Sequence, residues 1–386
     1  MTRIAVITGY PLSETVIFNR ISPLVRALSN EGFTVKCFTY SITDETNPTY
    51  DVQKFPSLHY KSQPGISRIF LEFLNVVAAK LYFMISNFIG LIRYDVVIVS
   101  IPSMLFLFFG TIRSKKSIYV LDVRDLTWEY LLSGKNSIFT ATIRKLFLSA
   151  VKRYDIILCS NNSECMYFKN QGFNEKIVIL YANGISKDKF DFIENNTFNK
   201  IGTNDLFYAG NLGKAQNLLQ IVKAISCEPM QLKLVGSGIE KDSIRAYIQH
   251  HRVPNVVIGD FLNWQDLISE LCGSKILLLS LGKNYTSAVP SKVYEYLSTG
   301  VPIILVGPKG ACSNLMESFG NTEFVDIGKE NWELRFISAA KRLYLLTNFE
   351  KNSVYEGNRH QIETSYLREN NARDIAKLIS GLVAKF

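Results

Sequence analysis

The sequence has no paired-cysteine motif: Cys37, Cys159, Cys165, Cys227, Cys272 and Cys312 are scattered along the chain without a CxxC. That spacing excludes a disulfide framework and a zinc knuckle, and fits a chain kept reduced in the cytoplasm. Histidine is scarcer still. His59, His250, His251 and His360 stand at no metal-ligand spacing, so no catalytic metal is expected. Long unbroken hydrophobicity is missing too. The run after Arg3, Ile4 to Ile7, is far too short for a signal-peptide core. The longest stretch without a charge, 96–112, contains Pro102 and Gly110 and falls short of the roughly 20 apolar residues that a spanning helix needs. It reads as a buried strand, a proline turn and an apolar helix under a sheet. No internal repeat and no low-complexity tract occurs, which removes solenoids and disordered arrays.

What is present is ample core material. Of 386 residues, 47% are hydrophobic and 20% charged, enough to bury two or three domains. Lys and Arg number 43 against 34 Asp and Glu, a net charge of +9. Such a balance favours an anionic partner: a phosphate-bearing substrate, nucleic acid or a membrane surface. The basic residues are dispersed and no recognition motif accompanies them, so nucleic acid is not expected. Between Ile69 and Ile89, and beyond, apolar and aromatic residues alternate with Arg68, Lys80, Arg93, Arg113, Lys115 and Lys116. Two readings fit. One is a helix lying on an anionic bilayer, at about 1 kcal/mol per basic residue near the surface; the other is helices that face the core.

Short apolar runs alternate with helical periodicity along the chain. Ile4 to Ile7 reads as a central parallel strand, Gly9-Tyr10-Pro11 as a turn, and Ser13 as a helix cap with Glu14 in the first turn. Ile21, Leu24, Val25 and Leu28 share one helix face. Further strands are expected at 34–38, 96–101, 117–122, 155–160 and 177–181, with helices at 65–92, 138–152 and 162–170. The stretch 186–204 is rich in Lys, Asp and Asn without sustained period and reads as a linker. A second block follows, with strands starting at Leu206, Gln231, Val256, Ile276, Pro302 and Glu323. The expectation is an α/β chain of two doubly wound Rossmann-like domains, 1–195 and 196–365, facing a central cleft, with the terminal helix 366–386 packing back on the first.

Three segments of the second block carry chemistry. Gly210-Asn211-Leu212-Gly213-Lys214 and Gly236-Ser237-Gly238 each follow a strand, where glycines let backbone N–H groups approach an anion. A glycine pair alone is equally a plain turn, and neither segment fits GxGxxG, so no nicotinamide cofactor is expected. The third segment starts a helix at Pro290-Ser291, with Ser291 as cap and Lys292 and Glu295 sharing one face. A helix N-terminus and an ammonium suit a diphosphate; a carboxylate suits a ribose diol. The alternative is an ordinary surface ion pair.

Together FYAGNLGKAQNL, LKLVGSGIEK and PSKVYEYLSTGVPII resemble the family-4 retaining glycosyltransferases of GT-B fold, in the bacterial branch that builds O-antigen, capsule and lipid-linked glycans. In the first half, GYPLSETVIFNRISPLVRALSNEGF resembles that family's opening loop and helix. Leu121 to Leu126 resembles its VRDLWPE segment, with Thr127-Trp128-Glu129 in place of WPE, and Asn183-Gly184-Ile185 resembles its NGV turn. The resemblance spans residue 4 to about residue 330.

It implies donor contacts from Gly210, Asn211, Gly213, Lys214, Gly236, Gly238, Pro290, Ser291, Lys292 and Glu295. Glu295 matches the second glutamate of the family's E-x7-E element; the first falls at Ser287 and is absent. Asn211 and Gln216 stand where many relatives carry the arginine and lysine for the pyrophosphate, which leaves Lys292 and Lys214 to meet that charge. Acceptor contacts are expected from Gly9, Glu14, Thr15, Arg124 and Asp125. Asp125, Lys292 and Glu295 are expected to carry catalysis, Asp125 by orienting or partly deprotonating the acceptor hydroxyl, unless it pairs with Arg124 or caps the next helix. The implied reaction is retaining transfer from a nucleoside-diphosphate sugar, UDP-linked, to a polyprenyl-diphosphate-linked or growing glycan. It needs no cofactor and no metal, and runs at the cytoplasmic face of the bacterial membrane with peripheral attachment to anionic lipid. Two other readings stay open: a sugar-nucleotide epimerase, and a non-catalytic partner subunit of the same fold.

Overall fold

The alternation of short apolar runs and amphipathic stretches folds into two parallel sheets. The computed structural model describes residues 2–9, 15–39, 51–56, 66–89, 93–101, 104–111, 113–114, 116–132, 138–173, 178–196, 204–346 and 348–385. The chain divides into two units, Met1–Asn183 with Arg368–Phe386, and Gly184–Leu367.

Among the described residues the first unit has seven strands: β1 (Arg3–Thr8), β2 (Thr34–Thr39), β3 (Asp51–Lys54), β4 (Val96–Ile101), β5 (Ile118–Val123), β6 (Ile156–Cys159) and β7 (Val178–Leu180). They lie in the order β3-β2-β1-β4-β5-β6-β7, all parallel, so the winding direction reverses between β1 and β4. Alternate residues of these strands feed opposite layers. Ala5, Ile7, Val97, Val99 and Leu121 pack with Val76, Ala79 and Phe83 of the helix Ile66–Ile89. Ile4, Val6, Ile98 and Val120 pack with Ile17, Ile21, Leu24, Val25 and Leu28 of the helix Thr15–Asn30, and with Ile375 and Ile379 of the last helix, Arg368–Val383. The expected face Ile21, Leu24, Val25 and Leu28 is thus wholly buried. β3 is an addition: its polar sequence DVQK carries no apolar run.

The apolar stretch from Val96 resolves into β4 and a 3₁₀ segment, Met104–Thr111, whose Phe106, Leu107 and Phe109 are buried. Among the described residues no helix is long and apolar enough to cross a membrane. Two of the cations read between residues 68 and 116 are committed to internal partners, and the side chains of Arg68 and Lys115 lie outside the described residues. Lys80 is only 8% exposed; its ammonium donates to the Phe109 carbonyl at 2.6 Å and lies 4.2 Å from the Phe109 ring centre. Burial pulls its pKa down to about 8. Arg113 is paired with Asp155 at 2.9 Å.

The second unit has six described strands: β8 (Asn204–Ala209), β9 (Leu232–Val235), β10 (Val256–Gly259), β11 (Ser274–Ser280), β12 (Ile303–Gly307) and β13 (Thr322–Asp326). Their order, β10-β9-β8-β11-β12-β13, repeats the reversal, here between β8 and β11. Residues 187–196, read as linker from composition, form a helix, Lys187–Asn196. Phe190 and Ile193, three apart, are buried in this unit's core, and the polar residues around them hid that short apolar face.

Candidate functional site

The ends of β8 and β9 are joined through their glycine loops. Gly210 N–H donates to the Val235 carbonyl at 2.9 Å, Leu212 N–H to Ser237 at 2.8 Å, and Glu240 N–H to Leu212 at 2.9 Å. Gly236 has φ +141°, and a Cβ there would sit 1.9 Å from the Gly210 carbonyl oxygen, so only glycine lets the loops meet. Gly238 faces Leu212 and the Asn211 side chain in the same way, and Gly213 faces the Asn211 and Gln216 amides. Gly210 differs. The nearest atom to a Cβ at that position is the ammonium of Lys292, 2.7 Å away.

Lys292 is the first residue of the helix Lys292–Ser298. Its Nζ donates to the Ala209 carbonyl at 3.0 Å and lies 3.8 Å from the Tyr208 ring centre. Tyr208 is itself fixed, its hydroxyl donating to the Asn211 carbonyl at 2.8 Å, and the Tyr296 hydroxyl accepts the Ala209 N–H at 3.0 Å. Burial brings the Lys292 pKa down to about 7, against the opposing charge of Glu295 and the Cys312 thiol. A lysine at the edge of ionisation beside a glycine loop is a group whose charge an incoming anion would complete.

Glu295 lies on the same helix, but its Oε1 receives Lys189 Nζ at 2.9 Å. Lys189 in turn lies 3.8 Å from the Trp264 ring centre. Lys292 and Glu295 are therefore neighbours in charge that hold different partners. Neither Lys189 nor Trp264 was found from the sequence; the signal would have been the helical spacing of Phe190 and Ile193 inside the assumed linker.

Two local expectations are corrected. Ser291 does not cap its helix: at φ −59° and ψ −29° its backbone is already helical, and its side chain makes no capping hydrogen bond. No single helix opens after Gly213 either. A 3₁₀ turn, Lys214–Gln216, comes first, and Asn217 at φ +51° separates it from the helix Leu218–Ile225. Asn211, Lys214 and Ser291 are exposed, while Pro290 is partly buried and its carbonyl accepts the Val293 N–H at 3.0 Å. The side-chain oxygen of Gln216 is buried without a hydrogen-bond partner.

In the first unit, Gly9 follows β1 and is buried, and Arg124 and Asp125 follow β5, both partly buried. Glu14 and the side chain of Thr15 lie outside the described residues, as does the expected cap Ser13. The residues after Asp125 form the helix Thr127–Leu132: Trp128 is buried, and Glu129 clamps Arg144 at 2.7 and 2.9 Å. Beneath the strand ends lies a network built on Arg20, which the sequence pattern did not single out. Its Nε and Nη2 donate to Asp122 Oδ1 at 3.1 and 2.7 Å, and its Nη1 to the Tyr181 carbonyl and Asn183 Oδ1. Ser100 donates to the other Asp122 oxygen at 2.7 Å. An arginine three residues after Ile17, on an otherwise apolar helix face, was the available signal.

No family model matches the chain, and no curated relative matches it by sequence. Solved structures do. A sucrose-phosphate synthase from Thermosynechococcus elongatus superposes with a TM-score of 0.74 at 15% identity, over 100% of both chains. WaaG, a glycosyltransferase involved in lipopolysaccharide biosynthesis, gives 0.67 at 12% identity, covering 99% of this chain and all of its own. Anabaena Alr3699/HepE, in complex with UDP and glucose, gives 0.65 at 13% identity over 98% of this chain and 100% of that one. The chain has the α/β GT-B fold. The matches include sugar-nucleotide epimerases as well as transferases, so the fold does not choose between the two activities.

Proposed function

We propose that the protein is a retaining glycosyltransferase that takes a sugar from a nucleoside-diphosphate donor, UDP-linked, and places it on a lipid-linked or growing glycan acceptor in bacterial surface polysaccharide synthesis. The observation that carries this reading is Lys292, partly buried against Ala209 and Tyr208, with its ammonium filling the space over Gly210. On this reading the second unit binds the donor. The Lys292 ammonium takes charge from the departing diphosphate, Lys214 screens it from the exposed turn, and the loops at Gly210 and Gly236 shape the wall. Glu295 holds the ribose diol, and Pro290 and Ser291 border the same turn. The first unit supplies the acceptor side, with Asp125 orienting the attacking hydroxyl and Arg124, Gly9, Glu14 and Thr15 around it. Positioning and charge stabilisation then do the catalytic work without a protein-bound metal.

A place at the inner face of the cytoplasmic membrane belongs to the same proposal. It is supported by the helix Ile66–Ile89, which leaves Phe70, Phe73, Val77, Leu81, Met84 and Ile85 exposed along one side while Val76, Ala79 and Phe83 are buried. With Lys80 turned inward, apolar insertion is expected to contribute more to attachment than charge does.

The test is a screen of nucleoside-diphosphate sugars by shift in melting temperature, followed by transfer from the stabilising donor to a polyprenyl-diphosphate-linked acceptor. Stabilisation and acceptor-dependent product are expected. A product formed from the donor alone would mean epimerisation, and no stabilisation by any nucleotide would mean a non-catalytic subunit.

A further inference from the structure

One buried acid in the first unit has no task in this scheme. Glu164 is 0% exposed, on the helix Asn162–Asn170 that follows β6. Asn161 caps this helix, its side-chain oxygen accepting the Glu164 N–H at 3.0 Å. The Glu164 carboxyl reaches back past the cap, and its Oε2 accepts the Ser160 N–H at 2.7 Å. Its Oε1 is shut off from solvent without a hydrogen-bond partner. The charged and titratable groups acting around it are Asp125 from the end of β5, Arg20 from the helix Thr15–Asn30, and the Cys159 thiol on β6. Arg20 is committed elsewhere, to Asp122, Tyr181 and Asn183. An anion in that place would leave Oε1 unsatisfied and feel the charge of a second carboxylate, so the neutral acid is the more stable form. Accordingly burial first, and the Asp125 charge second, push the Glu164 pKa up to about 8, against the Ser160 hydrogen bonds and Arg20.

Glu164 is also wired to the turn that carries Asp125. Ser160, whose N–H it holds, donates through its hydroxyl to the Arg124 carbonyl at 3.3 Å. We propose that Glu164 is a positioning residue for Asp125: as a neutral acid it backs the Arg124–Asp125 turn through Ser160, and its ionisation sets a second anion beside Asp125 and displaces that turn. The consequence for transfer rests on the reading of Asp125 given above; the behaviour of the turn does not.

The experiment uses the full chain, its Glu164→Gln variant and Glu164→Ala, between pH 5 and 9. From the ordinary value of 4.5 up to about 8, the folded protein holds a proton that the unfolded chain has released, so wild-type stability falls as pH rises through that window. The melting temperature of Glu164→Gln relative to wild type should therefore climb from pH 5 to pH 8 and then level. Trp128, three residues beyond Asp125, reports the turn once Trp264 and Trp332 are changed to Phe. Its fluorescence should shift with a midpoint near pH 8 when Glu164 is present and stay flat in the Glu164→Gln variant. Sugar transfer should fall more steeply on the alkaline side in wild type than in Glu164→Gln, where only the Lys292 dependence remains, and be low throughout in Glu164→Ala. A pH-independent difference in melting temperature, or a Trp128 shift shared by Glu164→Gln, overturns the proposal. A pH-linked Trp128 shift without transfer in any variant leaves the proposal standing and sinks the transferase reading instead.

Discussion

At the end of β5 the first unit closes its central strands with side chains; at the ends of β8 and β9 the second unit closes them with backbone. Asp122, Arg20, Ser100, Tyr181 and Asn183 form a saturated ionic network with Arg20 4% and Asp122 0% exposed. The second unit instead interlocks two glycine loops and leaves the Lys292 ammonium beside them. Among the described residues the strand order is the same but for the additional β7. The difference teaches that a doubly wound sheet does not dictate what its strand ends do. A satisfied charge network fixes geometry and has little left to offer a ligand, whereas a desolvated lysine with one hydrogen bond and one aromatic face retains donors for an anion.

The comparison can be broken most directly at Arg20. Removing one partner of a buried pair strands the other charge, so Arg20→Met should destabilise the first unit by about 3–5 kcal/mol. Denaturant unfolding checks this, and a loss under about 1 kcal/mol would mean that the network is not a lock. In the second unit the expected losses are functional. Lys292→Ala and Glu295→Ala should each reduce transfer by about tenfold to a thousandfold with little change in unfolding; near-wild-type rates in both would remove the donor site from this place.

A proton should accompany the donor. With its pKa near 7, the Lys292 amine is largely neutral at pH 8 in the free protein and binds a diphosphate best as the ammonium. Nucleotide affinity should therefore fall by up to about tenfold per pH unit above 7, with proton uptake visible by calorimetry in buffers of different ionisation enthalpy. The sign for stability is the opposite. A lysine whose pKa is depressed on folding favours the folded state increasingly as pH rises from 7 towards its ordinary value of 10.5. The smallest effect is expected at Lys189. It is partly exposed, so Lys189→Met should raise the donor KM about twofold to fivefold while kcat holds. An equal fall in kcat would place Lys189 at the reacting centre.

Much of this was legible in the chain itself. The strands announced themselves because both faces of a parallel sheet are buried, so their residues read as unbroken apolar runs such as Val96 to Ile101. The helix Thr15–Asn30 was legible from one face, and Gly236 from its place after a strand. The helix Lys187–Asn196 was not, because the buried pair Phe190 and Ile193 gives too weak a period. β3 was invisible because DVQK carries no apolar run. Ser291 was misjudged as a cap because composition shows which residues can cap, and only backbone angles show which do.

By itself the sequence determined the two-block α/β rhythm and the segments in which chemistry would lie, since hydrophobic period and turn residues are local properties. Tertiary structure decided the pairings. Lys292 holds Ala209 and Tyr208 rather than Glu295, Glu295 holds Lys189 from 106 residues away, Lys80 turns from surface to core, and Glu164 is enclosed near Asp125. Those outcomes depend on burial, which sets both the cost of a charge and its partner, and burial is a property of the folded chain as a whole.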